Sequence, residues 1–213
     1  MMTKRRGRPP KYDPTRVVMA AQQLFWRQGL EATTLRELSD ATGLHKPSLY
    51  GAFGDRLALY GAALDMYLEA TDEAAAAALS LPDMMSALDA FFEAGLDLFE
   101  RNGGQGCFFL STAVPIASRY PEIGCRVEDA MARAVDRLTA RLAAGQEEGQ
   151  LSAAAEIDAL VDILLSTHAA VALRARAGEP RASLQASVDR VLLQLFGRTV
   201  ADKARRRHGS LAF

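Results

Sequence analysis

The stretch from Thr33 to Phe53, TTLRELSDATGLHKPSLYGAF, constrains this chain more than any other. Thr34 and Glu37 have the spacing of a capping box, in which a hydroxyl and a carboxylate satisfy free N–H groups at a helix start. Leu35, Leu38 and Ala41 recur on one face of that helix. Gly43 supplies the backbone freedom of a tight turn. On the following helix Leu49 and Phe53 stand one turn apart and pack inward, so Pro47, Ser48, Tyr50 and Gly51 project to the other side. Two short helices joined in this way present the outer face of the second to a DNA major groove.

The charge distribution agrees with a polyanion at one end of the chain. The whole chain is nearly balanced, with 25 Lys+Arg and 26 Asp+Glu. Residues 1–56, however, carry ten basic side chains and five acidic ones, which leaves the remainder net acidic. A basic head on an acidic body confines the attraction for DNA to the head. No signal-peptide core and no apolar run long enough for a membrane span occurs, so a soluble cytoplasmic protein is expected. Cys107 and Cys125 are the two cysteines, too few for a disulfide scaffold.

Beyond the motif almost every segment has helical period and none alternates as a strand does, so the fold class is all-α. Pro14 opens a first helix with Val17, Ala21, Leu24, Phe25 and Gln28 inward, ending at Gly29. Asp55 caps a long helix to about Ala78 and Asp83 caps the next, which buries Leu88, Phe91, Phe92, Gly95, Leu96 and Phe99. Asn102-Gly103-Gly104 closes it. A helix from about Cys107 is kinked or divided by Pro115, and Pro121 opens another that runs to about Gly149. The last two helices carry Ile157, Leu160, Val161, Leu164, Leu165, His168, Val171 and Ala172, then Leu184, Val188, Val191, Leu192, Leu195 and Phe196. They are apolar over more than half their circumference, as helices central to a bundle or helices shared with a partner subunit are.

The order and spacing of VVMAAQQLFWRQGLEATTLRELSDATGL, HKPSLYGAF and GDRLALY resemble the DNA-binding domain of the TetR family of transcriptional regulators. The resemblance implies a helix-turn-helix DNA-binding domain over residues 11–71, with the motif itself at 34–53. It also implies an effector-binding and dimerisation domain over 72–200, in which the last two helices pair with their copies in a four-helix bundle. A charge at Leu192 is then expected to give monomers or misfolded protein. Residues 201–213 are expected to be a disordered tail.

In the resembling family, residues matching Thr34, Tyr50 and Arg56 contact the DNA backbone, and hydroxyl, phenol and guanidinium all suit phosphates. Lys46, Pro47 and Ser48 lie in the first turn of the recognition helix, which meets base edges. Lys46 can donate to guanine, Ser48 can donate or accept, and Pro47 offers apolar contact. Many family members have an aromatic residue or histidine at the positions of Gly51 and Ala52, so that half of the helix departs here from the family pattern and lacks those side-chain contacts. His45, at the start of the helix, reads either as a cap or solvent-facing residue or as a further base reader. Ahead of the motif, residues 1–10 form a basic arm resembling an AT-hook, with Arg5, Arg6 and Arg8 around Gly7. Either it inserts in a narrow A·T-rich minor groove or it is a basic tail of nonspecific affinity.

The resemblance further implies an effector pocket, for which Met66, Phe92, Leu96, Phe99, Cys107, Phe108, Thr112 and His168 are candidates. Cys107 follows a glycine-rich turn and starts a helix, where a solvent-accessible thiol has its pKa lowered and reacts faster than Cys125. The other reading is a small buried hydrophobe. No metal site is expected from three scattered histidines, and no cofactor or catalytic constellation is evident, so the chain is not read as an enzyme. The leading expectation is a homodimeric repressor on a pseudo-palindromic operator, released by a small molecule or by cysteine modification. The alternative is an architectural DNA-binding protein without an effector.

Overall fold

The structure, a computed structural model, describes residues 12–101 and 103–197. Among these residues the chain is helical, with no strand. It divides into two compact units, Met1–Asp65 and Met66–Phe213. This division and the domain boundary drawn at residue 71 both fall within one helix, α4 (Arg56–Leu79).

The first unit begins with α1 (Pro14–Ala32), whose N-terminal cap is the Asp13 carboxylate accepting from Thr15 N at 3.0 Å. Gly29 was expected to end this helix; instead it interrupts it with non-helical angles, φ 79° and ψ 171°, and one further turn follows to Ala32. Thr33 then anchors the junction, its Oγ1 donating to the Gly29 carbonyl at 2.6 Å. The capping box forms at the head of α2 (Leu35–Thr42): Thr34 Oγ1 accepts from Glu37 N at 3.2 Å, and the Glu37 carboxylate accepts from Thr34 N at 2.8 Å. Gly43 takes φ 70°, the left-handed turn that favours glycine. Next comes α3 (Lys46–Phe53).

Val17, Ala21, Leu24, Phe25, Trp26, Leu30, Leu38 and Leu49 are buried with Leu59 and Tyr60 of α4. Phe25 meets Tyr60 edge to face at a centroid distance of 5.2 Å. The apolar stripe expected on α2 is narrower than its period implies. Leu38 is buried and Leu35 half-buried, but Ala41 is exposed, because an eight-residue helix covers its neighbours with little more than one turn.

The second unit contains α5 (Met84–Arg101), α6 (Pro121–Glu147), α7 (Ile157–Arg176) and α8 (Arg181–Phe196). Asp83 caps α5, accepting from Ser86 N at 3.0 Å. Pro115 has the expected effect: without an N–H it cannot continue a regular ladder, and the chain passes through a π turn at Phe109–Ala113 and a 3-10 turn at Val114–Ile116. Arg181 ties α8 to α5, bridging Glu93, Asp97 at 2.7 Å and Glu100 at 3.3 Å.

Candidate nucleic-acid interface

The outer face of α3 is built by burying its inner one. Leu49 is 3% exposed, Phe53 is half-buried against the Tyr12 ring at 6.4 Å, and the helix ends where the Gly54 N–H donates to the Tyr50 carbonyl. Lys46, Pro47, Ser48, Tyr50, Gly51 and Ala52 are all exposed. No side-chain hydrogen bond or ion pair among the described residues engages Lys46, Ser48 or Tyr50. One short helix therefore offers a cation, two hydroxyls and a proline to an external partner. His45 precedes the helix without a side-chain cap bond and is exposed, so it is not a cap and its imidazole faces outward beside Lys46.

Two residues matched to backbone contacts have work inside the protein. The Thr34 hydroxyl accepts from Glu37 N and donates to the Glu37 carboxylate at 2.7 Å, so reaching a phosphate costs it a cap bond. Those backbone and side-chain bonds from Thr34, with one from Gln28, hold the Glu37 carboxyl below its usual range. Arg56 donates to the Thr33 carbonyl at 2.6 Å, joining the start of α4 to the turn before α2. Its sequence position gave no sign of this second role. Arg5, Arg6 and Arg8 lie outside the described residues.

Six of the eight effector candidates are interior residues. Phe92, Leu96, Phe99, Cys107, Phe108 and Thr112 are buried, and Met66 and His168 are partly buried. His168 lies among Phe91, Phe92 and Phe99, with ring centroids 5.4, 6.4 and 5.9 Å away. A Cβ on Gly95 would stand 3.0 Å from its Nε2, so that glycine makes room for the imidazole. Desolvation lowers the His168 pKa to about 4. The Thr112 hydroxyl donates to the Phe108 carbonyl at 2.8 Å. An open hollow of about 320 Å³ in this unit is lined by Leu151, Ala155, Leu160, Leu195 and Phe196, among others, and none of the eight candidates borders it.

Cys107 departs from expectation. It does stand at the start of a helical turn, its carbonyl accepting from Ser111 N at 2.9 Å, but it is 5% exposed. Burial pushes the thiol pKa up, outweighing the hydrogen bonds from Tyr67 and the backbone that favour the thiolate. Tyr67 donates its phenol to Sγ at 3.1 Å, a contact between positions 40 residues apart that no local pattern announces. Cys125 is the exposed cysteine.

Comparison with known proteins agrees with this arrangement. Residues 17–63 match the model of the bacterial regulatory proteins of the tetR family, and residues 85–190 match the tetracyclin repressor-like C-terminal domain. The HTH-type transcriptional repressor ComR of Escherichia coli K12 is 28% identical over 200 residues, which are 92% of this chain and 91% of ComR. The HTH-type transcriptional repressor BdcR of the same organism is 36% identical over 72 residues, 32% of this chain and 36% of BdcR. Among solved structures, the TetR family regulator PfmR of Thermus thermophilus is 28% identical with a TM-score of 0.69, covering 84% of this chain and 97% of that one. A cysteine mutant of the TetR family regulator CifR, complexed with 26-base-pair operator DNA, is alike in fold at 24% identity, with a TM-score of 0.76 over 87% of this chain and 98% of that one. Both units are thus accounted for by one family, and the chain belongs to the TetR family of bacterial transcriptional regulators.

Proposed function

We propose that this regulator is a homodimeric repressor that reads a pseudo-palindromic operator through α3 and leaves it when a small molecule enters the second unit. The observation that carries the reading is the exposed outer face of α3, with Lys46, Ser48 and Tyr50 unengaged on it. In this reading Lys46, Pro47 and Ser48 meet bases, while Tyr50, Arg56 and, at the expense of its cap, Thr34 meet phosphates. The Arg5, Arg6 and Arg8 arm enters the flanking minor groove. Residues 11–71 serve as the DNA-binding domain, and residues 72–200 take the effector and the partner subunit. The protein acts in the cytoplasm and catalyses nothing.

Pairing through α7 and α8 is supported by their exposed apolar side chains, Ile163 at 42%, Leu173 at 58% and Leu193 at 45%. A noncovalent effector is favoured over cysteine modification because the Cys107 thiol is buried and its pKa raised. The aromatic surroundings of His168 suit an apolar ligand with one polar group.

Selection from random DNA tests this reading. An enriched inverted repeat is expected, with Lys46→Ala and Ser48→Ala changing preference at defined bases and Tyr50→Phe weakening binding by about 1 kcal/mol without changing it. About six to ten phosphate contacts per dimer would lower affinity by about 10³ to 10⁵ between about 50 and 200 mM salt. If no sequence is enriched, the repressor reading fails.

A further inference from the structure

Most glycines among the described residues have a visible reason. Gly43 and Gly197 take positive φ at helix ends, and a Cβ on Gly106 would stand 2.4 Å from the Ala172 carbonyl oxygen. Gly51 has neither reason. It lies inside α3 with φ outside the positive range, and nothing stands within 4 Å of the place its Cβ would occupy. An exposed glycine in a helix interior weakens the helix relative to alanine and here returns nothing to the packing. The room it leaves faces outward.

Helical geometry places Gly51 one turn beyond Pro47 and Ser48, and Ala52 one turn beyond Ser48. Apart from the Ser48 hydroxyl, the side chains of this stripe present only carbon, and at Gly51 the backbone itself forms the surface. The C5 methyl of thymine is the one apolar group that a base pair presents in the major groove. We propose that Gly51 is a specificity-determining residue, letting the α3 backbone approach the groove floor so that Pro47, the Gly51 Cα and Ala52 pack on thymine methyl groups of the operator. The inference rests on the proposed DNA-binding reading and deepens it: sequence preference comes from close apolar contact as well as from the donors of Lys46 and Ser48.

The experiment uses the full chain and the operator obtained by selection. Each thymine of one half-site is replaced in turn by deoxyuridine, which keeps the hydrogen-bonding groups and removes the methyl. Wild-type affinity is expected to fall about fourfold at one or two positions, the effect of one lost methyl contact. Gly51→Ala should unfold at the same or a higher temperature, bind the operator at least about tenfold more weakly, and lose its sensitivity to those uracil replacements. A glycine needed for the fold would instead lower the unfolding temperature on substitution. An operator on which the uracil scan is flat, or which Gly51→Ala binds as tightly as wild type, would overturn this inference alone. Selection that yields no operator would overturn the repressor reading and this inference with it.

Discussion

The two residues whose chemistry sequence position described least well are Cys107 and His168. A thiol at a helix start is acidified only if solvation of the thiolate survives, and Cys107 is buried with the Tyr67 phenol against its Sγ, so desolvation outweighs the N–H groups that reach it. A thiol reagent is expected to label Cys125 quickly in the native protein and Cys107 only on unfolding; two fast equivalents would contradict the packing. His168 gives a signed pH dependence. Its pKa is lowered from 6.5 to about 4, so the unfolded chain binds the proton more readily. Stability from this group is complete above about pH 6.5 and is lost as pH falls toward 4. As pH falls through that window, wild type should lose thermal stability relative to His168→Phe, and parallel profiles would remove His168 as the cause. Glu179 adds a lower window: its bonds from Arg174 and Ser183 hold its pKa at about 2, so its contribution fades only as pH falls below about 4.5.

At the scale of elements, helix contacts are set by where a side chain is missing. Gly106 takes φ 66° and faces the α7 backbone, since a Cβ there would be 2.4 Å from the Ala172 carbonyl oxygen. Gly145 on α6 would place a Cβ 2.6 Å from Met84 Sδ. The two contacts are alike in distance and opposite in consequence, because methionine can change rotamer and a helix backbone cannot. Gly106→Ala should cost about 3 kcal/mol from clash and left-handed strain, and Gly145→Ala clearly less, as read from denaturant midpoints. Equal losses would mean that the α5–α6 contact is as rigid as the packing on α7. The capping box belongs to this scale too, and Thr34→Ala should cost about 1 kcal/mol through the lost cap.

For the whole molecule, the question is which apolar residues serve the subunit and which serve a partner. Leu192 cannot separate the two roles, since it is 2% exposed within its own chain and a charge there attacks the core. Leu173 and Leu193 can, being 58% and 45% exposed. Leu173→Glu combined with Leu193→Glu is expected to give a folded monomer with weakened operator binding, whereas Leu192→Asp is expected to unfold the chain. Light scattering beside far-ultraviolet circular dichroism reads both outcomes. A double variant that remains dimeric would place the subunit contact elsewhere, for instance at the exposed Met131 and Val135 of α6.

Helix positions, the capping box at Thr34, the turn on Gly43, the division at Pro115 and the outward set on α3 were legible in the sequence because each depends on residues within a few positions of one another. The family was legible for a related reason: its motif is a run of such local signals in fixed order. The burial of Cys107 under Tyr67, the room that Gly95 gives His168, the Arg56 bond to the Thr33 carbonyl and the exposure of Ala41 were not. Each depends on which helix lies against which, and periodicity gives a helix an apolar face without naming the partner that covers it. Tertiary packing alone decided which side chains are shielded from water, and with them the acidity of the thiol and the imidazole.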